Sequence, residues 1–142
     1  MSKRFRFLEH TTDAEIEAFG STLEEAFENA ALALEETMVS LDSIKQTTNN
    51  KIELDGKDKD ELLYKWLEAL IIKQDTEGML YSNFSCKISK KDQRLYLQAQ
   101  AHGEKFDPEK HEQKTAVKAP TYHEMKIEEK ERQVTLRFLL DL

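Results

Sequence analysis

The segment "RFRFLE" (4–9) alternates Phe5 and Phe7 with basic neighbours, the period-two mark of a half-buried strand. "AEIEAFG" (14–20) alternates Ile16 and Ala18 with glutamates and predicts a second strand, closed by Gly20. "HTTD" (10–13) fits neither pattern and reads as the connection between them, where side chains are free to converge on a ligand. Ser21 and Glu24 then carry the Ser-x-x-Glu signature of a capping box. Behind it Phe27, Ala31, Leu34, Met38 and Leu41 recur every three or four residues, predicting a helix with one apolar face. "TTNNKIELDG" (47–56) predicts a short strand and turn around Ile52 and Leu54. Asp58 and Glu61 offer a second capping box. Leu62, Leu63, Trp66, Leu67, Leu70 and Ile71 make a second helical stripe that ends near Gly78, with Trp66 as the large core anchor.

Strand patterns follow: Phe84, Cys86 and Ile88, then Leu95, Leu97, Ala99 and Ala101. "GEKFDPEKHEQK" (103–114) interrupts them as a polar loop, and "TAVKAPTYHEMKIEE" (115–129) and "RQVTLRFLLDL" (132–142) close the chain as strands. In the last of these Val134, Leu136, Phe138 and Leu140 share one face, so Asp141 falls on the opposite face or just past the strand end. No repeat, low-complexity tract or linker divides the sequence, so residues 1–142 are expected to form a single domain. Two long helices among about seven strands, mostly joined by hairpin-length connections, predict an α+β fold with a largely antiparallel sheet.

Composition narrows the class. Of 142 residues, 39% are hydrophobic and 35% charged, the balance of a folded globular chain. No apolar run approaches the length that spans a bilayer, and the N-terminus has no stretch like a signal peptide. The single cysteine, Cys86, excludes an internal disulfide and a Cys-rich zinc site, and reads as a core residue on its strand. A cytoplasmic protein without membrane segments is expected. Its charge is uneven. Phe7 to Ile44 holds ten acidic residues and no lysine or arginine, whereas the remainder carries 21 basic residues against 18 acidic ones. A nucleic-acid binder needs a basic stripe to neutralise phosphates, so no direct nucleic-acid binding is expected. An acidic face suits a metal ion or a basic protein partner.

Most catalytic chemistries lack their motifs. The four glycines, at 20, 56, 78 and 103, are isolated, so neither a phosphate-binding loop nor a dinucleotide fingerprint can be assembled. No serine sits in a nucleophile elbow. The histidines at 10, 102, 111 and 123 lack the helical spacing of a zinc hydrolase; His102 and His123 read as strand residues and His111 as a surface residue of the polar loop. One arrangement survives: Asp13 beside His10, and at the other end of the sequence Asp141 next to the main-chain carboxylate of Leu142. Carboxylates are hard oxygen ligands that select Ca²⁺, Mg²⁺ or Mn²⁺, and a cation offsets repulsion within such a set. Pattern alone does not join the two ends, and the plainer reading stays open: Asp13 as a turn residue, Asp141 as a solvated terminus.

The same stretches carry a likeness. "FLEHTTDAEIEAFG" (7–20), "TLEEAFENAALALEETM" (22–38), "LLYKWLEALI" (62–71), "GEKFD" with the later His111, "VKAPTYHEM" (117–125) and the final "DL", in this order and spacing, resemble the archease family over nearly the whole chain. Pro120 is a departure, standing where the family more often has a small or β-branched residue. Archeases are accessory proteins of the RtcB-type tRNA-splicing ligase, which joins RNA ends bearing a 2′,3′-cyclic or 3′-phosphate to a 5′-hydroxyl. The resemblance implies that this protein promotes guanylylation and turnover of that ligase and broadens its nucleotide preference, with no catalysis of its own. It further implies a divalent-metal site at Asp13, Asp141 and Leu142, Lys118 as a functional contact, and a supporting role for His10 and His123. Two other classes remain as alternatives. One is a chaperone-like binding module for nucleic-acid enzymes; the other is a metal-dependent hydrolase using Asp13, Asp141 and His10.

Overall fold

A computed structural model describes residues 3–8 and 13–142. Its elements run β1 (Phe5–Leu8), β2 (Asp13–Gly20), α1 (Leu23–Met38), β3 (Thr48–Gly56), α2 (Lys59–Glu77), β4 (Met79–Lys91), β5 (Arg94–Lys105), β6 (Ala119–Lys130) and β7 (Gln133–Asp141), with a 3₁₀ turn at Leu41–Ser43. The seven strands of the described residues form two wholly antiparallel sheets, β1-β2-β7-β6 and β3-β5-β4. The α+β, single-domain expectation holds, with the strands shared between two sheets. Among the described residues no helix is long and apolar enough to cross a membrane.

The division into two sheets follows from α1. A surface helix buries one stripe, but here Ala26, Phe27, Ala30, Ala31, Leu32, Ala33, Leu34 and Met38 are all buried, which leaves almost no solvent face. The helix lies between the sheets, packed on β2 on one side and on β4 on the other. It also takes the place of a strand along β4. The Cys86 N–H donates to Glu28 Oε2 at 2.7 Å and the Tyr81 N–H to Glu35 Oε1 at 2.9 Å, so two backbone donors of an edge strand are satisfied by helix side chains. The second helix packs on β6 and β3, and its Trp66, fully buried, donates its indole N–H to the Phe27 carbonyl at 3.0 Å.

Boundaries differ from the sequence reading in several places. The α1 cap is Thr22, whose hydroxyl accepts from the Glu25 N–H at 3.1 Å, while Glu25 Oε1 accepts from the Ser21 N–H at 2.7 Å. "STLEE" contains two overlapping capping signatures, and the chain uses the second. The Asp58–Glu61 cap of α2 forms as expected, and Gly78, at φ 67°, ends that helix in the left-handed conformation. Leu41 lies past the end of α1, in the 3₁₀ turn. Gly103–Lys105 belongs to β5, which shortens the polar loop, and residues 115–118 precede β6 instead of opening it. Pro120 is accommodated because β6 is an edge strand.

His111 is a correction. It is buried, not a surface residue. Its Nδ1 accepts from the Asp107 N–H at 2.9 Å, so the proton sits on Nε2, which donates to Glu104 Oε2 at 2.8 Å. Glu104 also accepts from the Lys45 N–H and the Lys110 ammonium. Burial pushes the Glu104 carboxyl up, but these donors outweigh it and hold the pKa at about 2.

Candidate carboxylate site

The register of β2 on β7 places Asp13 directly across from Asp141. Residues opposite one another in an antiparallel pair project from the same face, with Cβ atoms about 5 Å apart. Asp13 opens its strand instead of lying in the preceding connection, so hydrogen-bonded backbone holds it in register. On the other side of Asp141, Ala119 is its partner in β6, and the Lys118 N–H donates to the Asp141 carbonyl at 2.8 Å. Leu142 follows, and its side chain packs against the core, which anchors the main chain beside Asp141. Asp13, Asp141, Leu142 and Lys118 are thus brought to one end of the four-stranded sheet. His10 lies outside the described residues. His123 is exposed on β6, within the bulge between Thr121 and Lys126, and its N–H donates to Thr121 Oγ1.

The charges on this face are unevenly paired. Glu15 and Glu17 alternate along β2 on the same side as Asp13, and Arg137 lies on the side of Asp141. Arg137 approaches Glu17 at 3.1 Å and Glu15 at 3.8 Å, and Arg6 of β1 reaches Glu17 at 2.5 Å. Among the described residues Asp13 and Asp141 have no such cation. Among the described residues, negative charge is therefore paired along the sheet and left without an ion pair at its end. The sequence reading missed this ladder, although alternation from Asp13 through Glu15 and Glu17, and from Asp141 back to Arg137, carries it.

The donor chemistry fits a hard divalent cation, with carboxylate oxygens from two adjacent strands. It fits only in part as a closed cage. Among the described residues no three His, Cys, Asp or Glu side chains are grouped to hold a metal ion. A site built here needs a main-chain carboxylate, water or a second molecule's oxygens. Two clefts, of about 630 and 810 Å³, open elsewhere, at the β2–α1 turn and between the ends of the β4–β5 and β6–β7 hairpins. The carboxylate pair lines neither of them; it is a feature of the sheet surface.

Comparison with known proteins shows the family and the fold. The profile of the Archease protein family matches residues 5–142. The chain is 46% identical over 140 residues to protein archease of Sulfurisphaera tokodaii, covering 99% of each. It is 48% identical over 126 residues to protein archease of Pyrococcus furiosus, covering 89% of each. The solution structure of Methanobacterium thermoautotrophicum protein 1598 superposes with a TM-score of 0.87 at 40% identity, over 98% of this chain and 99% of that one. The crystal structure of a Thermotoga maritima archease, described as a possible chaperone, shares the fold with a TM-score of 0.62 at 22% identity, over 100% of this chain and 98% of that one. This chain belongs to the archease family.

Proposed function

We propose that this protein is a non-catalytic activator of an RtcB-type tRNA-splicing ligase, promoting its guanylylation and repeated turnover. The reading rests on family membership and on one observation, the Asp13–Asp141 pair set opposite each other at the sheet end, with no ion pair among the described residues. Asp13, Asp141 and the main-chain carboxylate at Leu142 would hold Ca²⁺, Mg²⁺ or Mn²⁺. Such an ion supplies positive charge that phosphate oxygens are attracted to. What the chain itself contributes is placement. Cross-strand hydrogen bonds fix the two aspartates, Leu142 anchors the chain end, and the Lys118 N–H pins the Asp141 carbonyl. A docked ligase would present its nucleotide at this end, where the pair is open to a partner and side chains complete only part of a coordination shell. Positioned charge of this kind acts without bond-making by the activator. His10, Lys118 and His123 are proposed as supporting contacts.

Guanylylation of the cognate ligase by radiolabelled GTP tests this. Wild-type protein should accelerate labelling, and an Asp13→Asn, Asp141→Asn double variant with unchanged circular dichroism should not. Equal acceleration by the double variant would sink the site. A chaperone-like module would act on ligase aggregation and leave the labelling rate of folded ligase unchanged.

A further inference from the structure

The β6–β7 register jumps from Thr121↔Leu139 to Lys126↔Arg137, so residues 122–125 bulge from the sheet edge opposite Phe138 alone. Glu124 in this bulge takes φ 59°, a left-handed conformation unusual for a residue with a side chain. The bulge re-aims Tyr122 towards α2. There its ring stacks on Tyr64 with centroids 4.4 Å apart and planes 8° from parallel. With Tyr64 on one side, Tyr122 is still 51% exposed, so its other face is open. Large apolar side chains this exposed are few here, and a second one, Ile72, also 51% exposed, lies on the same stripe of α2 two turns beyond Tyr64.

The surroundings are acidic. On α2, Glu61 and Glu68 stand three residues before and four after Tyr64, on the same side as the stacked rings; partial burial, then the fields of Glu61, Tyr64, Asp58 and Glu68, raise the Tyr122 phenol pKa. Glu61 and Asp58 are occupied as helix caps, but Glu68 makes no ion pair among the described residues. A half-exposed aromatic face beside an unpaired carboxylate suits one ligand chemistry above others. A guanidinium is flat, stacks on aromatic rings and bonds carboxylates through two parallel N–H groups. A nucleobase would stack equally well, but its phosphate would meet the carboxylates.

We propose that the Tyr64–Tyr122 stack with Glu68 is a docking platform for an arginine of the partner protein, set on the same strand that carries Ala119 opposite Asp141. The inference rests on the activator reading and specifies how the partner is gripped. Metal and platform are then separable: one acts at the nucleotide, the other holds the complex together.

Two measurements test it. In the isolated protein, titration with an acetylated tri-arginine peptide should shift the ring-proton resonances of Tyr64 and Tyr122. The shifts should vanish in Tyr122→Ala, weaken at least fivefold in Glu68→Lys and persist in Tyr122→Phe. Unmoved rings, an equal response to tri-lysine, or a stronger response to a short RNA would overturn the platform. Second, Tyr122→Ala and Glu68→Lys should lower affinity for the cognate ligase at least tenfold while Ca²⁺ binding stays at the wild-type level. Unchanged ligase affinity in both overturns this docking and leaves the metal reading intact. Peptide binding in a protein with no affinity for the ligase would overturn the activator reading and uphold the platform.

Discussion

Asp13 and Asp141 face each other with about 5 Å between their Cβ atoms, and two such charges repel by roughly 1 kcal/mol even in bulk water. A fold gains nothing from that arrangement unless a cation enters it. Asp13→Asn is therefore expected to leave metal-free stability unchanged or raised by up to about 1 kcal/mol, with Ca²⁺ or Mn²⁺ affinity largely lost. Thermal melting and calorimetric titration check both parts, and a variant that melts well below wild type but binds metal normally contradicts the site. Deleting Leu142 is a second probe, because it moves the main-chain carboxylate back onto Asp141; metal affinity should fall, and equal affinity would remove Leu142 from the ligand set. Glu35 is the opposite kind of carboxylate. It is fully buried, Oε2 has no partner, and burial, opposed only by the Tyr81 N–H, pushes its pKa up to about 8 from an ordinary 4.5. The folded state then binds the extra proton between those values, so stability falls as pH rises from about 4.5 through 8. Glu35→Gln should flatten that slope and stabilise the protein at pH 8.5, by on the order of a few kcal/mol. A wild-type melting profile that is flat across this window, or unchanged by the substitution, would show that Glu35 is not held neutral.

At the scale of elements, α1 fills the space between sheets and closes the edge of β4. Removing one of its caps by Glu28→Ala leaves the Cys86 N–H without a protein acceptor and should cost about 1–3 kcal/mol, with faster amide exchange at Cys86. Exchange as slow as in wild type would show that the edge is protected by burial alone. The loop after β5 is held by Glu104, and the stabilisation from its depressed pKa is complete above its unfolded value and lost as pH falls towards 2. Much of this architecture was legible in the sequence, because strands with period two and helices with capping boxes declare themselves locally. The capping of α1 slipped by one residue, since "STLEE" satisfies the signature twice. His111 was misread because a histidine in a stretch of charges looks solvated, and its burial depends on donating to Glu104, which is fixed in β5. The insertion of α1 between two sheets was also hidden: an alanine-rich helix looks merely amphipathic until a second sheet covers its other side. Of the candidate site, the two aspartates were recognisable, but only the family resemblance joined them, because the 127 positions between them say nothing of register.

For the whole molecule, the excess negative charge in residues 7–44 matters through its field. Docking on a basic ligase surface should slow as salt rises, because screening cuts the range of attraction to about 8 Å at physiological ionic strength. Stopped-flow association rates should drop severalfold between low and physiological salt, with dissociation changing less; a salt-independent on-rate would separate docking from net charge. The activator reading itself is tested most directly by RNA ligation under multiple turnover. The assay uses the cognate RtcB-type ligase with a tenth as much of this protein, wild type or Asp13→Asn. The account predicts that wild-type protein carries the ligase through many cycles whereas the folded Asp13→Asn variant leaves it at about one. Equal turnover with either protein, or with neither present, would contradict it.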